Sequence, residues 1–366
     1  MSYSKVRLDG GIDKAVVIVG NGFDLAHGFK TDYLSFANWL MKDLVGNVYR
    51  EFNSDKPVSK GFLDPETYHV VNNRDDYNED HDWLYPLQQV IRFGEESDLL
   101  KHIVAYPLVL SHILRSEFLS KLYKDKIEGW FDVEHVYFNL LCEFSSDTEA
   151  YRVDDLNKDL MYVKKMLSLY LSEIKYTFNE NIDRFIQREF RDFSEIVFIN
   201  FNYTESIDKY VNSYPFSRRV TVVNIHGTLS EENPILGYGN DEDANYKNLK
   251  KLEKNNLLEH FKTVDYLLAS NHKKFLTVIN SLENYEAFVL GHSLGLTDKT
   301  LLKQVFDDAR CKKIHVFNRL DLKKSQEELV KIYKLTVMSL IRVMGAEVDL
   351  RQKLVDFTET GYFPLE

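Results

Sequence analysis

The first hydrophobic run of the chain is short and continuous, and it ends in a glycine-spaced turn. Residues 16–19 are all β-branched, which is typical of a strand buried on both faces of a parallel sheet. Gly20 and Gly22 follow, and a helix-like pattern continues from Phe23. Glycines allow a close approach of a phosphate, and a helix start attracts an anion. The pattern favours a nucleotide-binding turn. A plain tight turn is the alternative, because Leu25 stands where the dinucleotide fingerprint has its third glycine.

Three later apolar runs also end at small or polar residues. They cover residues 196–199, 222–225 and 287–290. Because ligands bind at the carboxyl ends of the strands in open α/β sheets, we expect the residues that follow the four runs to meet in one site. The candidate site residues are Gly20, Asn21, Gly22, Phe23, Asp24, Asn202, His226, Gly291, His292 and Ser293, with Asp298 a few positions later.

Between the first and second runs, apolar residues recur at helical spacing, as at Val133, Tyr137 and Leu140. The whole pattern predicts an α/β fold with a Rossmann-like parallel sheet, a large helical insertion and a C-terminal helix. We expect residues 1–36 and 188–320 to form a discontinuous nucleotide-binding core, with the insertion at 37–187. In the C-terminal segment, 321–366, we expect a helix over about 322–343 with Asp321 as its N-cap.

Composition excludes several classes of protein. The chain has 366 residues and a formal net charge of −11, which argues against direct binding of nucleic acid because phosphates would be repelled. Its two cysteines, Cys142 and Cys311, are too few for a disulfide framework or a four-cysteine zinc site. The sequence shows no apolar leader and no uncharged stretch long enough to span a bilayer. We therefore expect a cytoplasmic protein with no membrane association and no metal site.

The opening motif resembles that of a known family. Residues 20–28 read Gly-Asn-Gly-Phe-Asp-Leu-Ala-His-Gly and look like the start of the AbiH family, bacterial proteins named for abortive infection by phage. Residues 130–134 resemble the family's W-x-D-[LV]-E element. The resemblance spans most of the chain and implies a phage-defence protein. The family's later motifs correspond to residues 202–204, 226–227 and 291–293, with Asp298.

The order of these motifs is also similar to that of sirtuins and sirtuin-like defence NADases, which carry G-A-G-x-S, N-x-D, H-G and G-[TYH]-S-L. This more distant resemblance implies a sirtuin-like core that binds NAD without a required cofactor. It places the pyrophosphate at residues 20–22 and the adenosine half at Gly291 and Ser293. Asn202 would hold the nicotinamide ribose or the attacking water, and His226 would engage the ribose hydroxyls.

Two positions depart from the sirtuin pattern. Thr204 replaces the aspartate of N-x-D, which in sirtuins contacts the nicotinamide carboxamide, and Asp24 replaces the serine of G-A-G-x-S. These departures leave open whether the chain hydrolyses NAD or only senses a nucleotide.

The candidate residues also have structural interpretations. Asn202 could form an Asx turn, and His226 and His292 could be packing residues. Asp298 could cap the following helix, and Asp24 complements a helix dipole with or without a ligand. Residues 291–295 further match G-x-S-x-G, the nucleophile elbow of serine α/β-hydrolases. That class is the weaker alternative, because the only later histidine, His315, lies inside an apolar run.

The function predicted from the sequence is antiphage defence by abortive infection, through hydrolysis of the N-glycosidic bond of NAD or a related nucleotide. Asn202 and His226 are the predicted catalytic residues, and the other candidates are predicted to bind the nucleotide. The alternative is a non-catalytic nucleotide sensor that recruits a defence partner. We expect a phage-derived trigger or a partner protein, and the sequence leaves open a homo-oligomer.

Overall fold

A computed structural model describes residues 12–52, 114, 116–124, 127, 129–146, 151–212, 219–229, 234–320, 324–345, 347–356, 359 and 362–364. Within these ranges, no helix is both long and apolar enough to cross a membrane. The chain forms two compact units. The first contains Met1–Phe29, Lys175–Ile235 and Asp265–Glu366, and the second contains Lys30–Ile174 and Leu236–Val264.

The first unit is built on a five-stranded sheet in which every neighbouring pair of strands is parallel. The strand order is β3-β2-β1-β4-β5, so the direction of winding reverses at β1. The α/β class with a parallel sheet is therefore confirmed. The strands are β1 (Lys14–Val19), β2 (Glu195–Asn200), β3 (Arg219–Asn224), β4 (Tyr285–Leu290) and β5 (Cys311–Val316), with a separate parallel pair, β6 (Asn318–Leu320) and β7 (Tyr362–Pro364).

Helices accompany both units. They are α1 (Asn21–Ala26), α2 (Tyr33–Phe52), α3 (Glu117–Lys124), α4 (Trp130–Ser145), α5 (Tyr151–Ser172), α6 (Glu180–Phe190), α7 (Asp208–Asn212), α8 (Ala244–Lys251), α9 (Lys262–Leu268), α10 (Ser270–Ser281), α11 (Lys299–Phe306), α12 (Gln326–Val343) and α13 (Glu347–Lys353). Short 3₁₀ turns cover Asn255–Leu257 and Leu296–Asp298.

Alternate side chains of each strand point to opposite faces of the sheet. Both faces are buried, because each packs against helices. Val16 and Ile18 belong to one apolar cluster, which includes residues of α10, α11 and α12. Ala15, Val17 and Val19 belong to the other, which includes residues of α1 and α6. This two-sided burial explains why the strands are continuous apolar runs rather than alternating ones.

The C-terminal helix begins later than the sequence pattern predicts. The N-cap of α12 is Ser325, whose hydroxyl accepts a hydrogen bond from the Glu328 amide while the Glu328 carboxylate accepts one from the Ser325 amide. The prediction of Asp321 as the N-cap is therefore wrong, and Asp321 itself lies outside the described residues. This reciprocal capping box satisfies two backbone donors, the Glu328 amide through the Ser325 hydroxyl and the Ser325 amide through the Glu328 carboxylate.

The second unit explains the tryptophan motif at the start of α4. The Trp130 indole donates to the Thr31 carbonyl over 3.0 Å, and the Asp132 carboxylate accepts from the amide that precedes the helix. Glu134 forms an ion pair with Lys262 at 2.8 Å, and both side chains are almost completely buried. Trp130, Asp132 and Glu134 therefore each make a contact within the helical unit.

Candidate functional site

The four predicted strand ends meet at the carboxyl edge of the sheet. Val19 at the end of β1 pairs with Asn200 of β2 and with Leu290 of β4. Asn200 pairs in turn with Asn224 at the end of β3. Because these strands are parallel and in register, the residues that follow them start at the same level. The prediction that the four segments converge at this edge is confirmed.

The segments after β1 and β4 pack directly against each other. The Gly20 amide donates to the Leu290 carbonyl over 3.1 Å, and the Gly22 amide donates to the Gly291 carbonyl over 2.8 Å. A Cβ on Gly20 would lie 2.5 Å from the His292 Cα, and one on Gly291 would lie 2.3 Å from the Phe23 amide nitrogen. Gly291 also has a φ of 73°, which a side chain disfavours. These two glycines are therefore required by the contact between the two segments.

The hydrogen bonds of that contact use backbone N–H groups of the glycine turn that were predicted to bind an anion. The Gly22 amide already has an acceptor in the Gly291 carbonyl, and the Phe23 amide donates to the Gly20 carbonyl over 2.9 Å. Both N–H groups therefore already donate to carbonyl oxygens of the chain. Asn21, the first residue of α1, is partly exposed, whereas Phe23 is fully buried among the aromatic side chains beneath the turn.

A network of asparagines links β2 to the turn after β1. The Asn200 side chain bonds to the Thr204 carbonyl and to the Asn224 side chain, both over 2.9 Å, and its oxygen accepts from the Asn202 amide over 3.1 Å. The Asn202 side chain is buried and donates through Nδ2 to the Gly20 carbonyl over 3.2 Å. Asn202 is thus held by its backbone and by one amide proton. Its Oδ1 has no hydrogen-bond partner among the described residues.

His226 follows β3 and is buried at the same edge. Its Nδ1 lies 3.1 Å from the Phe201 carbonyl oxygen. Its Nε2 lies 3.1 Å from the Tyr266 hydroxyl and 3.1 Å from Oδ1 of Asp298. A carbonyl oxygen only accepts hydrogen bonds, so Nδ1 carries a proton, and Nε2 faces the Tyr266 hydroxyl and the Asp298 carboxylate.

Asp298 lies between the two histidines of the site. Its Oδ1 contacts His226, and its Oδ2 is 3.7 Å from Nε2 of His292. Asp298 occupies the N-cap position of α11, yet its side chain makes no capping hydrogen bond. Its carboxylate faces the two histidines.

The loop after β4 holds His292 inward and Ser293 outward. His292 is buried, and its Nδ1 accepts from the Leu294 amide over 2.9 Å. Ser293 is exposed and forms no hydrogen bond with the described residues. Leu294, and not Ser293, has the left-handed backbone of this loop, with a φ of 57°.

These features disfavour the serine-hydrolase alternative. In a nucleophile elbow the serine occupies the strained position and is within hydrogen-bond reach of a histidine. Here Ser293 has neither feature. His315, the one later histidine, bonds to Glu286 over 2.8 Å and stacks on Phe288, so it supports the strands β4 and β5.

The two positions that depart from the sirtuin order are in contact. Asp24 is completely buried, and its carboxylate accepts hydrogen bonds from the Thr204 and Ser206 hydroxyls, each over 2.5 Å. Burial raises the pKa of Asp24 to about 6, although the two hydroxyl groups favour the ionised form. Asp24 thus connects the segments after β1 and β2.

Tyr266 is the contact residue that sequence reasoning missed. It lies on α9, is buried, and places its hydroxyl on Nε2 of His226. It follows no strand and belongs to no motif, so the pattern of strand ends gave no signal for it. Within the described ranges, no group of three or more His, Cys, Asp or Glu side chains is arranged to hold a metal ion.

The fold and the site define an α/β protein with a parallel five-stranded sheet, a buried asparagine and a histidine–aspartate pair at the carboxyl edge of its strands. The model of the family described as bacteriophage abortive infection AbiH matches residues 16–319. The chain belongs to this family, which implies a role in phage defence by abortive infection. Comparison with the curated proteins and with the solved structures gives no significant match.

Proposed function

We propose that this AbiH-family protein defends against phage by hydrolysing the N-glycosidic bond of NAD or a related nucleotide. The observation that supports the proposal is the cluster of Asn202, His226 and Asp298 at the carboxyl edge of the sheet. Asn202 and His226 are buried and Asp298 is partly buried. At this edge they supply an imidazole nitrogen, a carboxylate and an amide oxygen that has no partner among the described residues. Open α/β sheets bind nucleotides at this edge.

The chemistry requires few groups. When the bond between the ribose C1′ and the nicotinamide nitrogen breaks, its electron pair neutralises the cationic ring, so nicotinamide leaves without needing a proton. A water oxygen then bonds to C1′. In the proposal, Oδ1 of Asn202 accepts a hydrogen bond from one O–H of that water, which becomes the hydroxyl on C1′, and Nε2 of His226 takes the other hydrogen as a proton. Asp298 stabilises the resulting imidazolium at 3.1 Å.

The binding roles differ in part from those implied by the resemblance. The Gly22 amide donates to the Gly291 carbonyl. In the proposal, the glycine turn therefore allows the segments after β1 and β4 to pack together and does not itself bind the pyrophosphate through this amide. We propose that the partly exposed Asn21 contacts the pyrophosphate and that the exposed Ser293 contacts the adenosine half of the nucleotide. NAD is then a substrate, and no further cofactor is needed.

The test measures nicotinamide release by purified protein, alone and with a lysate of phage-infected cells as the source of the trigger. We expect triggered wild type to release nicotinamide, and Asn202→Ala and His226→Gln each to lower turnover about 100-fold or more while remaining folded. His135→Gln is the matched control, because His135 lies on α4 in the second unit. Equal turnover by wild type and both site variants would exclude the proposed mechanism.

A nucleotide sensor without turnover is the second candidate. Two observations favour it: the Gly22 amide is already bonded to Gly291, and the Thr204 hydroxyl is bonded to the buried Asp24. A sensor would bind NAD, which at about 100 times its dissociation constant stabilises the fold by roughly 2.7 kcal/mol, and would release no nicotinamide with any trigger. Thermal unfolding with and without NAD, beside the release assay, separates the two functions.

A further inference from the structure

We infer that the two histidines at the carboxyl edge have different and fixed roles, His226 as the proton acceptor and His292 as a neutral hydrogen-bond donor. Both rings are buried beside the same carboxylate, so position alone does not distinguish them. Their hydrogen bonds do. The protonation states follow from those bonds, and only their catalytic meaning rests on the proposed function.

His226 has a partner for Nε2 in either protonation state. Because Nδ1 donates to the Phe201 carbonyl, the neutral ring has its lone pair on Nε2, where the Tyr266 hydroxyl lies 3.1 Å away and can donate. After Nε2 takes up a proton, the new N–H can donate to Oδ1 of Asp298, also 3.1 Å away. A proton acceptor requires this arrangement, because neither state leaves a buried nitrogen without a partner.

His292 has the opposite tautomer. The Leu294 backbone N–H only donates, so the Nδ1 that accepts from it over 2.9 Å is unprotonated and the ring proton is on Nε2. Adding a proton to Nδ1 would break this bond and set two N–H groups against each other. The same bond anchors Leu294, whose φ of 57° is rare for a side chain of its kind. His292 is therefore held neutral, with its N–H at Nε2.

Asp298 and Phe201 orient both rings. The two oxygens of Asp298 face Nε2 of His226 at 3.1 Å and Nε2 of His292 at 3.7 Å. The Phe201 ring packs edge-on against the two imidazoles, with centroid distances of 5.2 and 4.5 Å. Asp298 is thus a positioning residue. A neutral donor suits a hydroxyl oxygen, whereas a phosphate favours a cation, so we assign His292 to a ribose hydroxyl of the nucleotide.

Imidazole ¹⁵N chemical shifts test the tautomers without any activity. We expect spectra of histidine-labelled protein at about pH 8 to show His226 protonated at Nδ1 and His292 protonated at Nε2. The variants His226→Asn and His292→Asn assign the two sets of signals. Finding the same tautomer in both rings, or the two tautomers exchanged, overturns the inference. This result is independent of whether NAD is hydrolysed.

Steady-state kinetics of the same two variants test the roles. The Asn oxygen can replace Nδ1 as acceptor for Leu294, so His292→Asn removes only the Nε2 donor, and we expect KM for NAD to rise about 10-fold with a smaller change in kcat. His226→Asn should lower kcat about 100-fold or more. The reverse pattern overturns the assignment. If wild type binds NAD without turnover, the proposed hydrolysis fails, and a 10-fold weaker binding by His292→Asn still supports the donor role.

Discussion

Asp24 carries a carboxyl group that is completely removed from solvent, and its two hydrogen-bond donors are hydroxyl groups rather than cations. The fold therefore gives the negative charge little compensation, and burial raises the pKa of Asp24 from 3.8 to about 6. Such a group makes stability depend on pH. Because the raised pKa favours the protonated form, the contribution of Asp24 to the free energy of unfolding is present below pH 4 and is lost as the pH rises through 6.

The variant Asp24→Asn removes this dependence. A shift of about two pKa units corresponds to roughly 3 kcal/mol, so we expect the variant to gain about that much stability relative to wild type between pH 4 and pH 7. Denaturant unfolding of both proteins across this range measures the difference. Asp155→Asn, which changes an exposed carboxylate, is the control. Its free energy of unfolding should change with pH as that of wild type does. A constant difference between the Asp24 variant and wild type would show that Asp24 does not titrate in the fold.

At the scale of elements, the strand ends were predictable and the contacts between loops were not. Runs such as residues 16–19 and 287–290 are short, apolar and bounded by glycine, which locates buried parallel strands. Parallel pairing then brings their ends together. The bond from Gly22 to Gly291 and the position of Tyr266 depend on tertiary packing, and no local pattern encodes them. The N-cap of α12 was predicted at Asp321 although the Ser-x-x-Glu spacing from Ser325 to Glu328 is a local signal of the capping box that the structure shows.

The close approach of the β1 and β4 segments leads to a prediction for Gly291. In Gly291→Ala the new Cβ would collide with the backbone of Gly22 and Phe23 at a φ of 73°, so we expect a loss of about 3 kcal/mol or more from overlap and backbone strain together. Denaturant unfolding measures the loss. Gly345→Ala is the control, because the atoms nearest to its Cβ would be those of the Asp307 and Lys303 side chains, at 3.2–3.4 Å, and not backbone atoms. Equal stability of the two variants would contradict the described contact.

At the scale of the whole molecule, all the predicted site residues belong to the first unit, whose parallel sheet aligns them. The Trp130–Glu134 motif belongs to the second unit and stabilises it through a buried ion pair and a capping contact. The sequence predicted the family, and the family model confirms it. The identity of the nucleotide could not follow from the fold, because one α/β architecture serves many ligands.

The central proposal is that the protein hydrolyses NAD through Asn202 and His226 when phage infect the cell. The most direct measurement is the NAD content of infected cells expressing wild type, Asn202→Ala or the exposed control Asn245→Ala, followed by mass spectrometry alongside phage yield. We predict that NAD falls several-fold and phage yield drops with wild type and with Asn245→Ala, whereas Asn202→Ala preserves NAD and loses protection. Unchanged NAD in all three strains, with Asn202→Ala protecting as well as wild type does, would contradict the claim.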